Sequence, residues 1–140
     1  MTMRMISDYH RPADLDEALT LIGRKDVTSV LVAGGTTLPM AQADVEVVDL
    51  QDAAGAGVTP SDGKLVIGAM TRLQDLIESE LAPPLLAELA HREGPSTFRH
   101  AATVGGTVAA ADWESELLAG LLVHEAEATV AGGAGTTVIP

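Results

Sequence analysis

From Asp14 to Arg24 the apolar residues Leu15, Ala18, Leu19 and Ile22 share one face at helical spacing, with polar positions between them. Asp14 and Glu17 stand at capping-box spacing at the start of this segment, and Gly23 fits its end. The pattern then shortens. "VTSVLVAGG", Val27 to Gly35, reads as a short buried strand running into paired glycines, and "VEVVDL", Val45 to Leu50, as a second strand. "QDAAGAGVTPSDG", residues 51–63, is rich in Gly, Ala and Asp, reads as a loop and is the best internal boundary. Its closing "SDGK" is a hairpin-type turn leading into the strand "KLVIGAM". Thr71 is placed to cap a helix through "TRLQDLIESE" with Leu73, Leu76 and Ile77 inward, and Pro83-Pro84 breaks the chain before a second helix, "LLAELAHRE". A long loop, "GPSTFRHAATVGGT", follows. "WESELLAGLLVHE" is helical, with Leu117, Leu118, Leu121 and Leu122 apolar, and "EATVAGGAGTTVIP" predicts two strands turning through Gly132 to Gly135. A strand-like run ending in paired glycines occurs twice.

This alternation predicts an α/β (α+β) fold. With 140 residues, the chain forms one domain or two small lobes. Its aromatic residues are only Tyr9, Phe98 and Trp113, so Ala, Val, Leu and Ile must fill the core, and core packing is the expectation for Phe98 and Trp113. The formal charge of −12 repels phosphate backbones and anionic lipid and argues against nucleic acid or a membrane surface as a partner. The absence of cysteine removes disulfides, thiolate zinc sites, cysteine-ligated iron–sulfur clusters and a cysteine nucleophile from the possible chemistries of the sequence. No apolar stretch is long enough to span a membrane and nothing reads as a signal peptide, which makes a cytoplasmic protein the expectation.

Candidate chemistry concentrates at "VAGGTT" and "ATVGGT". Adjacent glycines after a strand permit φ > 0 and carry no Cβ, so successive backbone N–H groups can converge on an anion while threonine hydroxyls add donors. A diphosphate suits such a nest; a tight turn is the competing reading of each stretch taken singly. The third glycine of G-x-G-x-x-G is missing after Gly34 and Gly105, and no G-x-x-x-x-G-K-[ST] occurs, so neither a Rossmann nor a P-loop site is predicted. Glu88 and His91 have E-x-x-H spacing without a second pair, and no metal site is expected. No hydrolase nucleophile motif is present and no catalytic residue is assigned. His10 and His124 read as surface or strand-end residues. His100 is placed to hydrogen-bond the second glycine loop, and Arg99 either to neutralise phosphate or to form an exposed salt bridge.

Taken in order, "YHRPADLDEAL", "LVAGGTTL", "VVDL", "GKLVIGAMTRLQDL", "FRHAATVGGTVAAA" and "LLVHEAEATVAG" resemble the FAD-binding domain of molybdenum hydroxylases, over nearly the whole chain. That family includes the medium subunit of carbon monoxide dehydrogenase and the flavin domain of xanthine dehydrogenase. The resemblance implies a PCMH-type flavin fold of two small α/β lobes, about residues 1–56 and 57–140, abbreviated relative to the family and shortened at "PMAQADVE". It implies FAD held between the lobes. By position, Ala33, Gly34, Gly35, Thr36 and Thr37 match the first cofactor loop, and Thr103, Val104, Gly105, Gly106 and Thr107 match the second. Glu116 falls where a cofactor-contacting Asp is usual, Thr37 replaces a usual Asp and Thr107 a usual Asn. Iron–sulfur and molybdenum-cofactor subunits are the implied partners, with the flavin relaying electrons to NAD or a quinone-like acceptor. A cofactor-free binding or assembly protein on the same scaffold is the alternative. At least a dimer is expected, because abbreviated lobes leave sheet edges or apolar surface to be covered.

Overall fold

The computed structural model of the chain describes residues 5–37 and 44–140, so most of the shortened connection, residues 38–43, lies outside the described residues. The first part runs β1 (Ile6–His10), α1 (Leu15–Ile22), β2 (Ser29–Val32) and β3 (Val45–Asp49). Its sheet has the order β1-β3-β2, with β3 parallel to both neighbours. Parallel pairing needs a crossover, and α1 supplies the one from β1 to β2, lying against β2 and β3. Asp14 caps α1 by accepting from the Glu17 N–H at 2.9 Å, while Glu17 Oε2 accepts from the Ala13 N–H at 2.8 Å. Ala18, Val30, Val47 and Val48 are the buried apolar residues of this part. Strand β1 has no counterpart in the predicted elements. Its first four residues are all exposed, so no alternation marks it, and pairing with β3 defines it.

The second part opens with the hairpin β4 (Val58–Ser61) and β5 (Lys64–Ile67). Asp62 and Gly63 turn it with φ of 48° and 77°, as a two-residue I′ connection requires. β4 lies inside the stretch expected to be loop; Pro60 disguises it, since proline is depleted from strands other than edges. The helices are α2 (Leu73–Glu78), α3 (Pro84–Arg92), α4 (Ser96–Arg99), α5 (Val104–Ala110) and α6 (Glu116–Val123), followed by the hairpin β6 (Ala128–Gly132) and β7 (Gly135–Ile139). Thus α4 and the start of α5 replace the expected long loop. Pro84 opens α3 from its first turn, where a missing N–H costs nothing.

A second core joins Leu73, Leu76, Leu86, Ala90, Ala102, Val104, Leu117 and Leu121, with Phe98 and Ile77 packed against it. Each fully buried leucine contributes roughly 1.5–3 kcal/mol. α6 buries Leu117 and Leu121 but leaves Leu122 exposed. Two expectations are corrected here. Thr71 does not cap α2: it is buried, and its hydroxyl accepts from the Gly57 N–H at 2.9 Å and donates to the Gly57 carbonyl at 3.1 Å, tying β4 to the start of α2. Trp113 is not in the core but 88% exposed, on a bend between α5 and α6 that no element covers. Among the described residues, no helix is long and apolar enough to cross a membrane.

Candidate functional site

The first glycine loop follows β2, whose last residue, Val32, accepts from the Leu50 N–H at 2.9 Å and so fixes the loop beside the end of β3. Gly34 meets the chain just before α5 so closely that a Cβ would overlap the Ala101 carbonyl oxygen. Gly35 adopts φ +70°, which favours glycine, with nothing nearer its Cβ position than Val32 Cγ1 at 3.9 Å. Neither glycine is replaceable by a residue with a side chain without moving or straining the loop. The N–H groups of Gly34, Gly35, Thr36 and Thr37 have no acceptor among the described residues.

The second glycine pair is built differently. Thr103 caps α5 by accepting from the Gly106 N–H at 3.1 Å, and Val104, Gly105 and Thr107 donate to the carbonyls of Thr71 (2.9 Å), Ala69 (2.8 Å) and Thr103 (3.0 Å). These glycines are not a strand-end bend with open amides but the first turn of a helix whose amides are engaged. Gly105 is small because Ala69 packs on it; a Cβ there would lie 2.7 Å from the Ala69 side chain. This segment therefore presents a smooth wall and the Thr107 hydroxyl, itself bonded to the Thr103 carbonyl at 3.1 Å.

Between the two segments lies a cleft of about 680 Å³, the size of a small-molecule site. Ala33, Gly34, Gly35, Thr36 and Thr37 line one side, and Thr103, Gly105, Gly106 and Thr107 another. The first loop and the start of α5, far apart in sequence, thus share one cavity. Two expected residues stand elsewhere. Val104 is buried in the second core, and Glu116 is exposed in the first turn of α6, with Arg92 Nη1 3.5 Å from its carboxylate. In their place Glu93, Asp112 and Ser115 line the cleft. Ser115 caps α6 from the Leu118 N–H at 3.0 Å and donates to Glu93 Oε1 at 2.9 Å, which also accepts from the Leu117 N–H at 2.7 Å. Asp112 Oδ1 accepts from the Glu114 N–H at 2.9 Å. A serine two residues before the run Leu117-Leu118 is a capping signal that could have marked this corner. Ser29, also a cleft residue, has a buried hydroxyl without a partner among the described residues.

The remaining candidates are structural. Arg99 donates to Gln74 Oε1 at 3.1 Å and the Gly94 carbonyl at 2.7 Å, lies outside the cleft lining and has no acidic partner among the described residues. His100 Nδ1 lies 2.8 Å from the Ser96 carbonyl of its own helical turn, not on the glycine loop. Glu88 pairs with Arg92 along α3. On the first sheet His10 Nε2 stands 2.7 Å from Glu46 and 3.6 Å from Asp8, a cluster with the donor types of a metal site. The Arg24 guanidinium already pairs with the same Glu46 oxygen, so positive charge is in place. Hydrogen bonds from His10 and then Arg24 hold the Glu46 carboxyl below its ordinary value.

Known proteins share this architecture. The model of the FAD binding domain in molybdopterin dehydrogenase matches residues 3–140. The chain is 34% identical over 132 residues to an uncharacterized protein, YgfM, of Escherichia coli (strain K12), covering 92% of this chain and 51% of that one. It is 32% identical over 143 residues to the carbon monoxide dehydrogenase medium chain of Hydrogenophaga pseudoflava, covering 95% and 50%. A crystal structure of carbon monoxide dehydrogenase from H. pseudoflava superposes with a TM-score of 0.84 at 29% identity, covering all of this chain and 51% of that one. The chain spans about half the length of the curated relatives it matches. With the family's model matched over nearly the whole chain and the expected glycine segments facing one cleft, the chain belongs to the FAD-binding domains of molybdopterin dehydrogenases.

Proposed function

We propose that this chain is the FAD-binding part of an electron-transfer subunit in a molybdenum hydroxylase-type oxidoreductase. The observation that carries the reading is the first loop: four main-chain N–H groups without acceptors among the described residues, beside two glycines, opening into a cleft of small-molecule size. Such donors hold a diphosphate without a lysine. The amides of Gly34 to Thr37 and the hydroxyls of Thr36 and Thr37 would hold the diphosphate. Thr103, Gly105, Gly106 and Thr107 form the opposing wall and leave room for the rest of the cofactor. Val104 anchors that wall in the core, and Glu116 pairs with Arg92 outside the cleft lining. Residues 1–56 and 57–140 serve as the two lobes that enclose the cofactor. Once bound, the isoalloxazine supplies the redox chemistry, and the protein's work is to position it and shield it from water. No side chain of the cleft is assigned as a catalytic acid or base.

Iron–sulfur and molybdenum-cofactor subunits are the proposed partners, since the relatives include the medium chain of carbon monoxide dehydrogenase and a subunit of the 6-hydroxypseudooxynicotine dehydrogenase complex. Cytoplasmic placement belongs to the same proposal and is checked by cell fractionation. The decisive experiment is a titration of the purified protein with FAD, following flavin fluorescence and absorbance. Saturable binding of one FAD per chain is expected. No uptake by the chain, alone or with its partner subunits, defeats the reading.

A further inference from the structure

The cleft has no cation to match the ligand proposed for it. Glu93 and Asp112 are the only titratable side chains on its walls, and no Lys, Arg or His lines it among the described residues. Among the described residues, Arg11 pairs with Asp52, Arg24 with Glu46, Lys64 with Glu127 and Arg92 with Glu88 and Glu116, Arg99 bonds to neutral groups, and Lys25 and Arg72 lie outside the cleft lining. The segment 38–43, "LPMAQA", contributes no charge to the sequence near the first loop. The carboxylate of Glu93 is at least balanced by a helix start, where it accepts from Ser115 and Leu117. Asp112 has only one neutral N–H, that of Glu114, and no ion-pair partner among the described residues. Around the cleft the whole chain carries a formal charge of −12.

We propose that Asp112 opposes the diphosphate, so that cations from beyond the cleft lining strengthen FAD binding by screening it, and affinity rises with ionic strength. This rests on the FAD reading above. It inverts the usual behaviour of phosphate sites, where ligand anions meet lysine or arginine and salt weakens binding. Here the attraction comes from uncharged main-chain donors, whose short-range hydrogen bonds salt barely touches, while the long-range term is repulsive. The cation comes from the solution or from a basic surface beyond the cleft lining, since among the described residues no Lys, Arg or His lines the cleft.

The test is an FAD titration of the wild-type chain and of Asp112→Asn at 20 mM and 500 mM NaCl. The asparagine keeps the oxygen that accepts from Glu114 and removes the charge. Wild-type affinity is expected to rise roughly tenfold across that range, as screening lengths fall from about 20 Å to about 4 Å. Asp112→Asn is expected to bind more tightly than wild type at 20 mM and to respond less to salt. Wild-type affinity that falls or stays level with salt overturns the proposal, as does a variant that binds no more tightly at 20 mM. No binding by either protein at either salt defeats the FAD reading itself, a result distinct from binding with the opposite salt dependence.

Discussion

Replacing Gly34 by alanine tests the joint that makes the cleft. The new Cβ would overlap the Ala101 carbonyl oxygen, an atom of the main chain that cannot swing aside as a side-chain tip can. Relief requires the first loop and the chain before α5 to separate, and overpacking of this kind costs roughly 1–3 kcal/mol. Where the loop moves away to relieve the overlap, ligand binding must bring it back, so FAD affinity falls about five- to hundredfold. The control is Gly35→Ala, which meets no atom closer than 3.9 Å but keeps φ near +70°. Its cost of about 1–2 kcal/mol is backbone strain inside the loop, with no contact across the cleft. A double variant separates the two causes: trimming the side chain in Gly34→Ala/Ala101→Gly leaves the offending carbonyl in place and should rescue nothing. Thermal melts of the free proteins report the steric cost, and fluorescence titration with FAD reports the separation. A Gly34→Ala protein that melts with wild type and binds FAD equally well would refute the argument that this glycine exists for the close approach of two segments.

Two further perturbations probe the scaffold. Thr71→Val preserves volume but deprives the Gly57 N–H of its acceptor, while the Gly57 carbonyl keeps its bond from Gly68 at 2.9 Å, so a loss of about 1–3 kcal/mol is expected in urea unfolding at an unchanged m-value. Glu46 is held below its ordinary pKa by His10 and Arg24, so its contribution to stability is complete above the unfolded-state value and is lost as pH falls through the folded one. The melting-temperature advantage of wild type over Glu46→Gln should therefore be largest near neutral pH and shrink below about pH 4; a gap that stays constant from neutral pH to pH 3 would remove Glu46 as a source of acid sensitivity.

Much of the fold was legible because its signals are local. The capping residues and apolar face of α1, the Asp62-Gly63 turn and the leucines of α2 and α6 each lie within one element. What escaped was structure imposed from a distance. β1 shows four exposed residues in a row and becomes a strand only because β3 offers a parallel edge. Thr71 sits where a helix cap belongs, yet its hydroxyl turns to Gly57, a partner in the hairpin that no helix rule anticipates. Trp113 was assigned to the core by the general habit of tryptophan, but the short helices on either side leave it nothing to pack beneath.

The candidate site divides along the same line. Gly35, at φ +70°, answers to a turn's own backbone freedom, which the sequence pattern can anticipate, whereas Gly34 is required by the approach of Ala101 from a distant segment. Gly105 and Gly106 carry the same letters with a different cause: after α2, α3 and α4 fold back, the Ala69 carbonyl accepts from the Gly105 N–H and the Thr71 carbonyl from Val104, while the Thr103 hydroxyl oxygen accepts from Gly106. That engagement also brings the wall into place. The bonds from Val104 and Gly105 to the stretch before α2 join the burial of Val104 in the second core in holding the start of α5 on its side of the cleft. One glycine segment thus gives up its donors to position a wall, and among the described residues the amides without acceptors lie on the other wall only. For the diphosphate proposed there, attraction would come from main-chain geometry and work against the charge of a strongly acidic chain.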